Sequence, residues 1–239
     1  MDHHGYAHKF LELTRPAKFY FVRHGESEGN RRNMIQGRED MPLSDLGREH
    51  ARAAGRWFAG TPIDLVYSSP LERARETADI ILSELGTDAP ATAPVETTDL
   101  MELDTGVFSG YTFETIGEAF PEAWQVFRVE SWESVPGAEP IASLYARAER
   151  HWNRIIADAN AGHGTVVSVT HGGLLQWIVK ATLGDDGQRW MPIIKASNCG
   201  IFLLTVRPVN YDPDKPFGED PADGFFSEWT LLNRLPYEN

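Results

Sequence analysis

The sequence predicts a single α/β domain over residues 1–239, in which a mainly parallel sheet is flanked by helices. Two observations predict this class. Short apolar runs rich in β-branched and aromatic residues alternate with amphipathic stretches of helical length, which is typical of parallel strands joined by helices. Near the C-terminus, two strand-like runs follow one another with no helix between them, so we expect an antiparallel edge there.

The first third of the chain contains two strand–helix units. Residues 18–23 form an apolar, aromatic run that predicts a buried strand, and a loop follows it. Residues 45–59 have apolar side chains at helical spacing, and Ser44 is a suitable N-cap. Residues 64–69 predict the second strand, and Pro70 lies at the first turn of the second helix.

The middle of the chain predicts a helical insertion. Residues 95–100 are interpreted as a short third strand. Residues 112–134 contain aromatics, acids and few helix breakers, and Pro121 divides them into two short helices. We therefore expect residues of about 103–137 to form a lid insertion, followed by a long amphipathic helix that ends near Ala159.

The last third begins with the most strand-like run of the chain. Residues 164–170 contain five β-branched side chains and lead directly into a helix. Residues 199–208 and 225–236 predict the two antiparallel strands. The acidic, Pro-rich stretch over 208–223 that joins them is interpreted as either a hairpin loop or a dimer contact.

Composition and charge exclude several classes of protein. With 239 residues, 41% hydrophobic and 24% charged, the chain has the composition of an ordinary globular protein. A net charge of −13 disfavours binding to nucleic acid or to an anionic membrane, because both need a basic surface. Cys199 is the only cysteine, so no intrachain disulfide can form. The start of the sequence lacks the pattern of a signal peptide, and the cytoplasm is the expected location.

The basic residues are concentrated in the first 75 positions. That segment holds 12 basic and 10 acidic side chains, whereas the remainder of the chain holds 10 and 25. Ten of the 17 arginines lie in the first 75 residues, where a bidentate clamp for an oxyanion is predicted. Charged helix faces would produce the same asymmetry, so this observation needs support from the placement of individual residues.

Side chains that can carry chemistry follow each predicted strand. Arg23 and His24 follow the first strand, and Arg73 lies within one helical turn of the second. Glu102 follows the third strand and His171 the fourth. Because ligands of open α/β sheets bind beyond the carboxyl ends of the strands, we expect these five residues to converge on one crevice.

This set of residues suits phosphoryl transfer through a covalent intermediate. A neutral imidazole such as that of His24 is a competent nucleophile toward phosphorus, and a phosphate dianion needs several fixed donors. Arg23 and Arg73 can supply bidentate donors, and His171 adds a ring donor beside a helix N-terminus. Glu102 is then the natural general acid for the leaving oxygen and later the base for the attacking water.

Each of these residues also has a purely structural interpretation. A single histidine after a buried strand is often only hydrogen-bonded, and Arg73 is suitably spaced to pair with Glu76 on a helix surface. His3, His4 and His8 suggest either a metal-binding tract or a frayed terminus, and the second is favoured. A zinc site elsewhere is disfavoured because no close-spaced ligand pair occurs and two arginines would oppose a dication.

Five blocks of sequence together resemble the histidine phosphatase superfamily, which includes phosphoglycerate mutases and many phosphatases. The string RHG alone is weakly specific, whereas five blocks in family order are strongly specific. They span most of residues 18–185 and lie at 21–30, 35–47, 67–78, 100–112 and 168–173.

The resemblance implies a role for each of the five candidate residues. His24 would be the phosphorylated nucleophile, Glu102 the proton donor, and the other three would complete the phosphate pocket. No metal and no organic cofactor is implied. The resemblance also implies a second set of residues that line the substrate site, with the last contributing its backbone amide: Ser27, Asn30, Gln36, Gly37 and Gly172.

Departures from the family pattern bear on the choice of reaction. Gly29 stands where many members have Trp, and Phe108 and Ser109 stand where Trp and Glu are frequent, so the rim of the pocket differs. Primer-dependent phosphoglycerate mutases look basic over the insertion, but here residues 103–135 contain Arg128 as their only cation against six acids. Hydrolysis of a small phosphorylated metabolite is therefore the favoured function, with a mutase and a non-catalytic phospho-ligand binder as alternatives.

The aromatic residues of the insertion admit two interpretations. They form either a lid over an organic leaving group or an ordinary packed core, and the core is favoured. The sequence also leaves open whether two copies pair as a homodimer. The aromatic residues concerned are Tyr111, Phe113, Phe120, Trp124, Phe127 and Trp132.

Overall fold

One six-stranded sheet organises the protein. The structure is a computed structural model that describes residues 10, 12–183, 193–208 and 225–238. The strand order is β3-β2-β4-β1-β5-β6. The strands are β1 (Ala17–Arg23), β2 (Leu65–Ser68), β3 (Val95–Glu96), β4 (Thr165–Thr170), β5 (Ile201–Pro208) and β6 (Phe225–Arg234).

The pairing of the strands confirms the predicted fold class. β1, β2, β3 and β4 are parallel to one another, whereas β5 pairs antiparallel with β1 and β6 antiparallel with β5. The C-terminal strands therefore form the expected antiparallel edge. A consequence is that the N-terminal end of β5 lies at the same edge of the sheet as the carboxyl ends of β1 and β4.

Helices cover both faces of the sheet. α2 (Asp45–Trp57) and α3 (Glu72–Leu85) pack on one face, and α6 (Ile141–Asn160) and α7 (Gly172–Leu183) on the other. Side chains of β1 alternate between the two cores. Phe19 and Phe21 pack with α6 and α7, whereas Tyr20 and Val22 pack with α2 and α3, as the period of two in a strand requires.

Most helix starts agree with the sequence prediction. The hydroxyl of Ser44 accepts a hydrogen bond from the amide of Gly47 at 3.0 Å and caps α2. The loop after β1, however, contains an unpredicted short helix, α1 (Glu28–Arg31), which Ser27 caps. A helix of four residues is too short to produce a helical periodicity in the sequence.

The predicted third strand is shorter than expected. β3 comprises two residues, and the chain then forms a 3₁₀ turn at Thr98–Leu100, which begins where the Thr97 side chain accepts a hydrogen bond from the amide of Asp99. Such local side-chain bonds compete with strand pairing. Glu102 therefore lies on an irregular segment and not at the end of a strand.

The insertion has its own small core. α4 (Ile116–Ala119) and α5 (Pro121–Glu130) are separated at Pro121 as predicted. Phe108 and Phe127 are buried in this insertion core, and Phe120, Trp124 and Trp132 pack against it, as the core interpretation expects. By contrast, Tyr111 and Phe113 are exposed.

Two of the sequence features cannot be placed in this structure. His3, His4, His8 and residues 209–223 of the acidic stretch lie outside the described residues. In the part of the chain that is described, none of the helices combines the length and the apolarity needed to cross a membrane.

Candidate active site

The two candidate histidines lie side by side because their strands are neighbours. Arg23 of β1 is in register with Thr170 of β4, and the amide of His24 donates to the carbonyl of Thr170 at 2.9 Å. His171 follows Thr170 directly. The ring centroids of the two histidines are 5.0 Å apart.

The His24 ring is held in one tautomer. Its Nδ1 lies 2.6 Å from the carbonyl oxygen of Gly25, and because a carbonyl can only accept, Nδ1 carries the proton. Burial lowers the pKa of His24 well below its usual value, and the charges of Arg73 and Arg23 lower it further. The imidazole is therefore neutral near pH 7, with an unprotonated Nε2.

His171 has the opposite tautomer. Its Nε2 lies 2.8 Å from the hydroxyl of Ser69, which also accepts a hydrogen bond from the amide of Leu71. Among the described residues Nε2 is the one acceptor for that hydroxyl proton, so we assign Ser69 as the donor to Nε2. The proton of the ring is then on Nδ1, which is buried and has no partner among the described residues. Burial, followed by the charge of Arg73, lowers the pKa of His171 well below its usual value.

Arg73 is buried and does not lie on the solvent-exposed face of α3. Its side chain is 1% exposed and donates to the carbonyls of Glu39 and Gly37, both at 2.7 Å. The alternative that Arg73 lies on the helix surface and pairs with Glu76 is wrong, because Arg73 is buried and Glu76 pairs instead with Arg48 at 2.6 Å.

Arg23 and Arg73 together form a site for an anion. Arg23 donates to the carbonyl of Ala196 at 2.7 Å, and the Nε atoms of both arginines are buried without a partner among the described residues. Among the described residues, no carboxylate lies within 4.0 Å of the guanidinium nitrogens of Arg23 or of Arg73. Burial lowers the pKa of both guanidinium groups, although they stay charged. Buried guanidinium groups with no carboxylate in direct contact favour an anionic ligand.

Glu102 reaches the same cavity from the opposite side. One carboxylate oxygen accepts from the amides of Leu103 at 2.8 Å and Leu174 at 3.1 Å, and the other accepts from the amide of Gly173 at 3.1 Å. The carboxylate thus lies at the N-terminus of α7, close to His171. A Cβ atom at Gly173 would collide with the carboxylate, so the glycine allows Glu102 to lie in this position.

The second set of predicted residues divides into two groups. Asn30, Gln36, Gly37 and Gly172 line the cavity together with four of the five central residues. The fifth, His171, is fully buried and is not among the described residues that line it. Ser27 is not among the described residues that line it. Its hydroxyl is fully buried, accepts from the amide of Asn30 and donates to the side chain of Gln36 at 2.8 Å, so it supports two residues that do line the cavity.

One departure from the family pattern has a local explanation. A Cβ atom at Gly29 would overlap the side chain of Gln36. The glycine in place of the frequent tryptophan therefore makes room for Gln36, whose side-chain oxygen accepts from Ser27. This shapes the wall of the cavity beside the phosphate pocket.

Three site residues were missed by sequence reasoning. Asn198 donates to the carbonyl of His24 and to the side chain of Asn30, both at 3.1 Å. Gln176 makes two hydrogen bonds with the backbone of Ile194, and Lys195 lines the cavity. For Lys195 and Asn198, the predicted antiparallel edge could have pointed to the site, because it places the loop before β5 at the edge of the sheet where the site forms.

The cavity extends well beyond the phosphate pocket. Its volume is about 470 Å³, which is large enough for a small organic ligand. Its outer wall is mainly apolar and includes Met34, Ile35, Leu103, Phe113, Trp132, Ile193 and Ile194. Among the described residues, no group of three or more His, Cys, Asp or Glu side chains is arranged to bind a metal ion.

A comparison with protein families identifies the group to which this chain belongs. The profile of the histidine phosphatase superfamily (branch 1) matches residues 19–213. The chain belongs to this superfamily.

Individual relatives carry the names of both phosphatases and mutases. A phosphoglycerate mutase-like protein of Arabidopsis thaliana is 37% identical over 163 residues, which cover 67% of this chain and 68% of the relative. Phosphoserine phosphatase 1 of Hydrogenobacter thermophilus is 31% identical over 178 residues, covering 71% and 77%. The crystal structure of a phosphoglycerate mutase from Bacillus anthracis has a TM-score of 0.72 at 20% identity and covers 94% of this chain and 96% of its own.

Proposed function

We propose that this member of the histidine phosphatase superfamily hydrolyses a small phosphomonoester through a phosphohistidine intermediate. The observation that carries the proposal is the His24 ring, whose Nδ1 donates to a carbonyl and leaves Nε2 available, next to three buried nitrogens without described partners. These are Nε of Arg23, Nε of Arg73 and Nδ1 of His171. A nucleophile beside an unfilled set of donors is what phosphoryl transfer requires.

The proposed reaction has two steps. In the first, Nε2 of His24 attacks phosphorus, the bond between phosphorus and the ester oxygen breaks, and the carboxyl group of Glu102 gives its proton to the leaving alcohol. In the second, Glu102 takes a proton from water, whose oxygen attacks the phosphohistidine and releases inorganic phosphate. The two arginines and His171 hold the oxygens of the transferred group throughout.

The remaining site residues have supporting roles in this proposal. The side-chain oxygen of Asn30 already accepts two hydrogen bonds, from the amide of Ser27 and from the side chain of Asn198, which leaves its NH₂ group to donate to phosphate. Gln36 and the amide of Gly172 complete the inner wall. Residues of about 103–137 would act as a lid inserted in one domain.

The distribution of cations supports hydrolysis over mutase activity. A mutase must retain a bisphosphorylated intermediate, which calls for cations beyond the phosphate pocket. Among the described residues that line the cavity, Lys195 is the only cation besides Arg23 and Arg73. The mutase alternative rests on the names of relatives, and the non-catalytic alternative is disfavoured because all five central residues are present.

Partners and location follow from charge and cysteine content. The buried guanidinium groups of Arg23 and Arg73 support a small phosphorylated substrate, and a net charge of −13 supports the absence of a nucleic-acid or membrane partner. The single cysteine, Cys199, is buried and free, which supports a cytoplasmic location. A homodimer is also proposed, supported by exposed Phe226 and Leu232 on the edge strand β6, and light scattering would test it.

A screen of phosphorylated metabolites tests the proposed reaction. Phosphate release would be measured with excess chelator, starting with phosphoserine because one relative is named a phosphoserine phosphatase. Interconversion of 2- and 3-phosphoglycerate would be assayed in parallel. We expect phosphate release to exceed interconversion by at least about tenfold, a difference of roughly 1.4 kcal/mol in activation free energy. Faster interconversion would favour the mutase, and no turnover of any ester would favour the phospho-ligand binder.

A further inference from the structure

A buried ion pair joins α6 to the residue before its N-cap, outside the cavity. Arg147 and Glu139 are 6% and 7% exposed, and they form two parallel hydrogen bonds of 2.8 and 2.7 Å. The remaining terminal nitrogen of Arg147 donates to the carbonyls of Asp99 and Met101 at 3.1 and 2.8 Å. Met101 directly precedes Glu102, so this arginine connects the long helix to the segment that carries the proposed general acid.

Side chains hold four consecutive carbonyl groups of this segment. Arg147 binds those of residues 99 and 101, the hydroxyl of Thr170 donates to that of Leu100 at 2.9 Å, and Arg38 contacts that of Glu102 at 3.4 Å. Arg38 in turn pairs with Glu139 at 3.0 Å. Since the segment is neither strand nor α-helix at Glu102, these side-chain bonds take the place of a regular backbone ladder.

We propose that Arg147 is a positioning residue for Glu102. The inference rests on the proposed function, because it concerns delivery of the proton to the leaving alcohol. Arg147 itself does not line the cavity among the described residues, and it acts by fixing the backbone at Met101. Glu139 keeps the guanidinium in the orientation in which its third nitrogen faces the two carbonyls.

This role makes a distinct prediction about leaving groups. An alkoxide leaves only with a proton, so phosphoserine hydrolysis depends on Glu102. A p-nitrophenolate is a stable anion that leaves without one. Loss of a positioned general acid therefore slows alkyl esters far more than activated aryl esters, whereas general damage to the fold slows both equally.

The test compares Arg147→Met with Arg150→Met. Arg150 lies three residues further along α6 and pairs with the carboxylate of Asp99 at 2.8 Å, without touching Met101. We expect Arg147→Met to lower kcat/KM for phosphoserine by about 100-fold and kcat/KM for p-nitrophenyl phosphate by less than about fivefold, because kcat/KM reports the first step, in which the leaving group departs, and not the later attack of water. Glu102→Gln should show the same pattern and add little in the Arg147→Met background, and Arg150→Met should keep the wild-type ratio.

Hydrogen exchange supplies a second measurement that needs no activity. We expect the amides of residues 99–103 to exchange faster in Arg147→Met than in the wild type or in Arg150→Met. If the methionine variant does not fold, Arg147→Lys replaces it in both measurements. Equal losses on both esters, or unchanged exchange in this segment, would overturn the positioning role. A wild-type protein that hydrolyses neither ester would instead contradict the proposed function, and the exchange result would still decide the role of Arg147.

Discussion

The inner phosphate pocket and the outer cavity wall are built in different ways. In the pocket, His24, Arg73 and His171 are at most 2% exposed and lie at strand ends or on the first turn of α3. On the outer wall, Phe113 and Ile193 are 54% and 64% exposed and lie on connecting segments. The sheet thus fixes the groups that contact phosphate, whereas loops shape the part that contacts the leaving group.

The two regions also differ in what stabilises them. The pocket is held by hydrogen bonds to the backbone of the sheet and of adjoining loops, such as those of His24 and Arg23. The insertion packs around its own small core at Phe108 and Phe127. We therefore expect substitutions in the pocket to abolish chemistry or anion binding, and substitutions on the outer wall to change the choice of substrate.

The largest effect is expected for His24→Ala. Without the nucleophile, hydrolysis of p-nitrophenyl phosphate should fall by at least about 1000-fold, because no covalent intermediate can form. A steady-state assay measures it, with His163→Ala as the control because His163 is exposed and precedes β4, at the end of that strand opposite to His171. Activity of His24→Ala within tenfold of wild type would contradict the assignment of the nucleophile.

Arg73→Met should remove most of the stabilisation that an anion provides. Inorganic phosphate at about 100 times its Kd should raise the free energy of unfolding of the wild type by roughly 2.7 kcal/mol. The variant lacks one of the two buried guanidinium groups and should show little rise in Tm with phosphate. Arg48→Met, on the surface of the same region, is the control. An equal phosphate-dependent shift in Arg73→Met would place the anion site elsewhere.

The imidazoles of the pocket should titrate unusually low. Because burial lowers the pKa of both His24 and His171, each should still be neutral at pH 6 in the free protein. The unfolded chain binds these protons near pH 6.5, so stability should fall as pH decreases below that value, by up to about 1.4 kcal/mol per pH unit for each histidine. NMR titration of the imidazole nitrogens measures this directly, and ordinary titration near pH 6.5 would show that the pocket is open to water.

The smallest effect is expected on the outer wall. Phe113→Ala should raise KM for substrates with bulky leaving groups by about three- to tenfold and leave kcat within about twofold, because it removes apolar contact and not a reacting group. Val129→Ala is a matched control, since Val129 is 74% exposed on the same insertion but does not line the cavity. A large loss of kcat in Phe113→Ala would mean that the wall also orders the catalytic groups.

The difference between strand ends and loops also explains which site residues could be predicted from the sequence. Arg23, His24 and His171 were predictable because they directly follow β-branched or aromatic strands, and parallel strands bring their ends together. Glu102 was found as a residue, but the segment before it is a 3₁₀ turn and not the expected strand. Asn198 and Lys195 were missed because they precede an antiparallel strand, so that only the pairing of β5 with β1 brings them to the site.

The most direct test of the account is to trap the phosphorylated enzyme. The protein would be mixed with p-nitrophenyl phosphate, quenched in alkaline denaturant within one turnover, and digested for mass spectrometry. We predict a single phosphohistidine at His24, which accumulates in Glu102→Gln because that variant lacks the base for the attacking water, and which is absent from His24→Asn. Phosphate release by the wild type with no phosphohistidine, or with the phosphate on His171, would contradict the central claim.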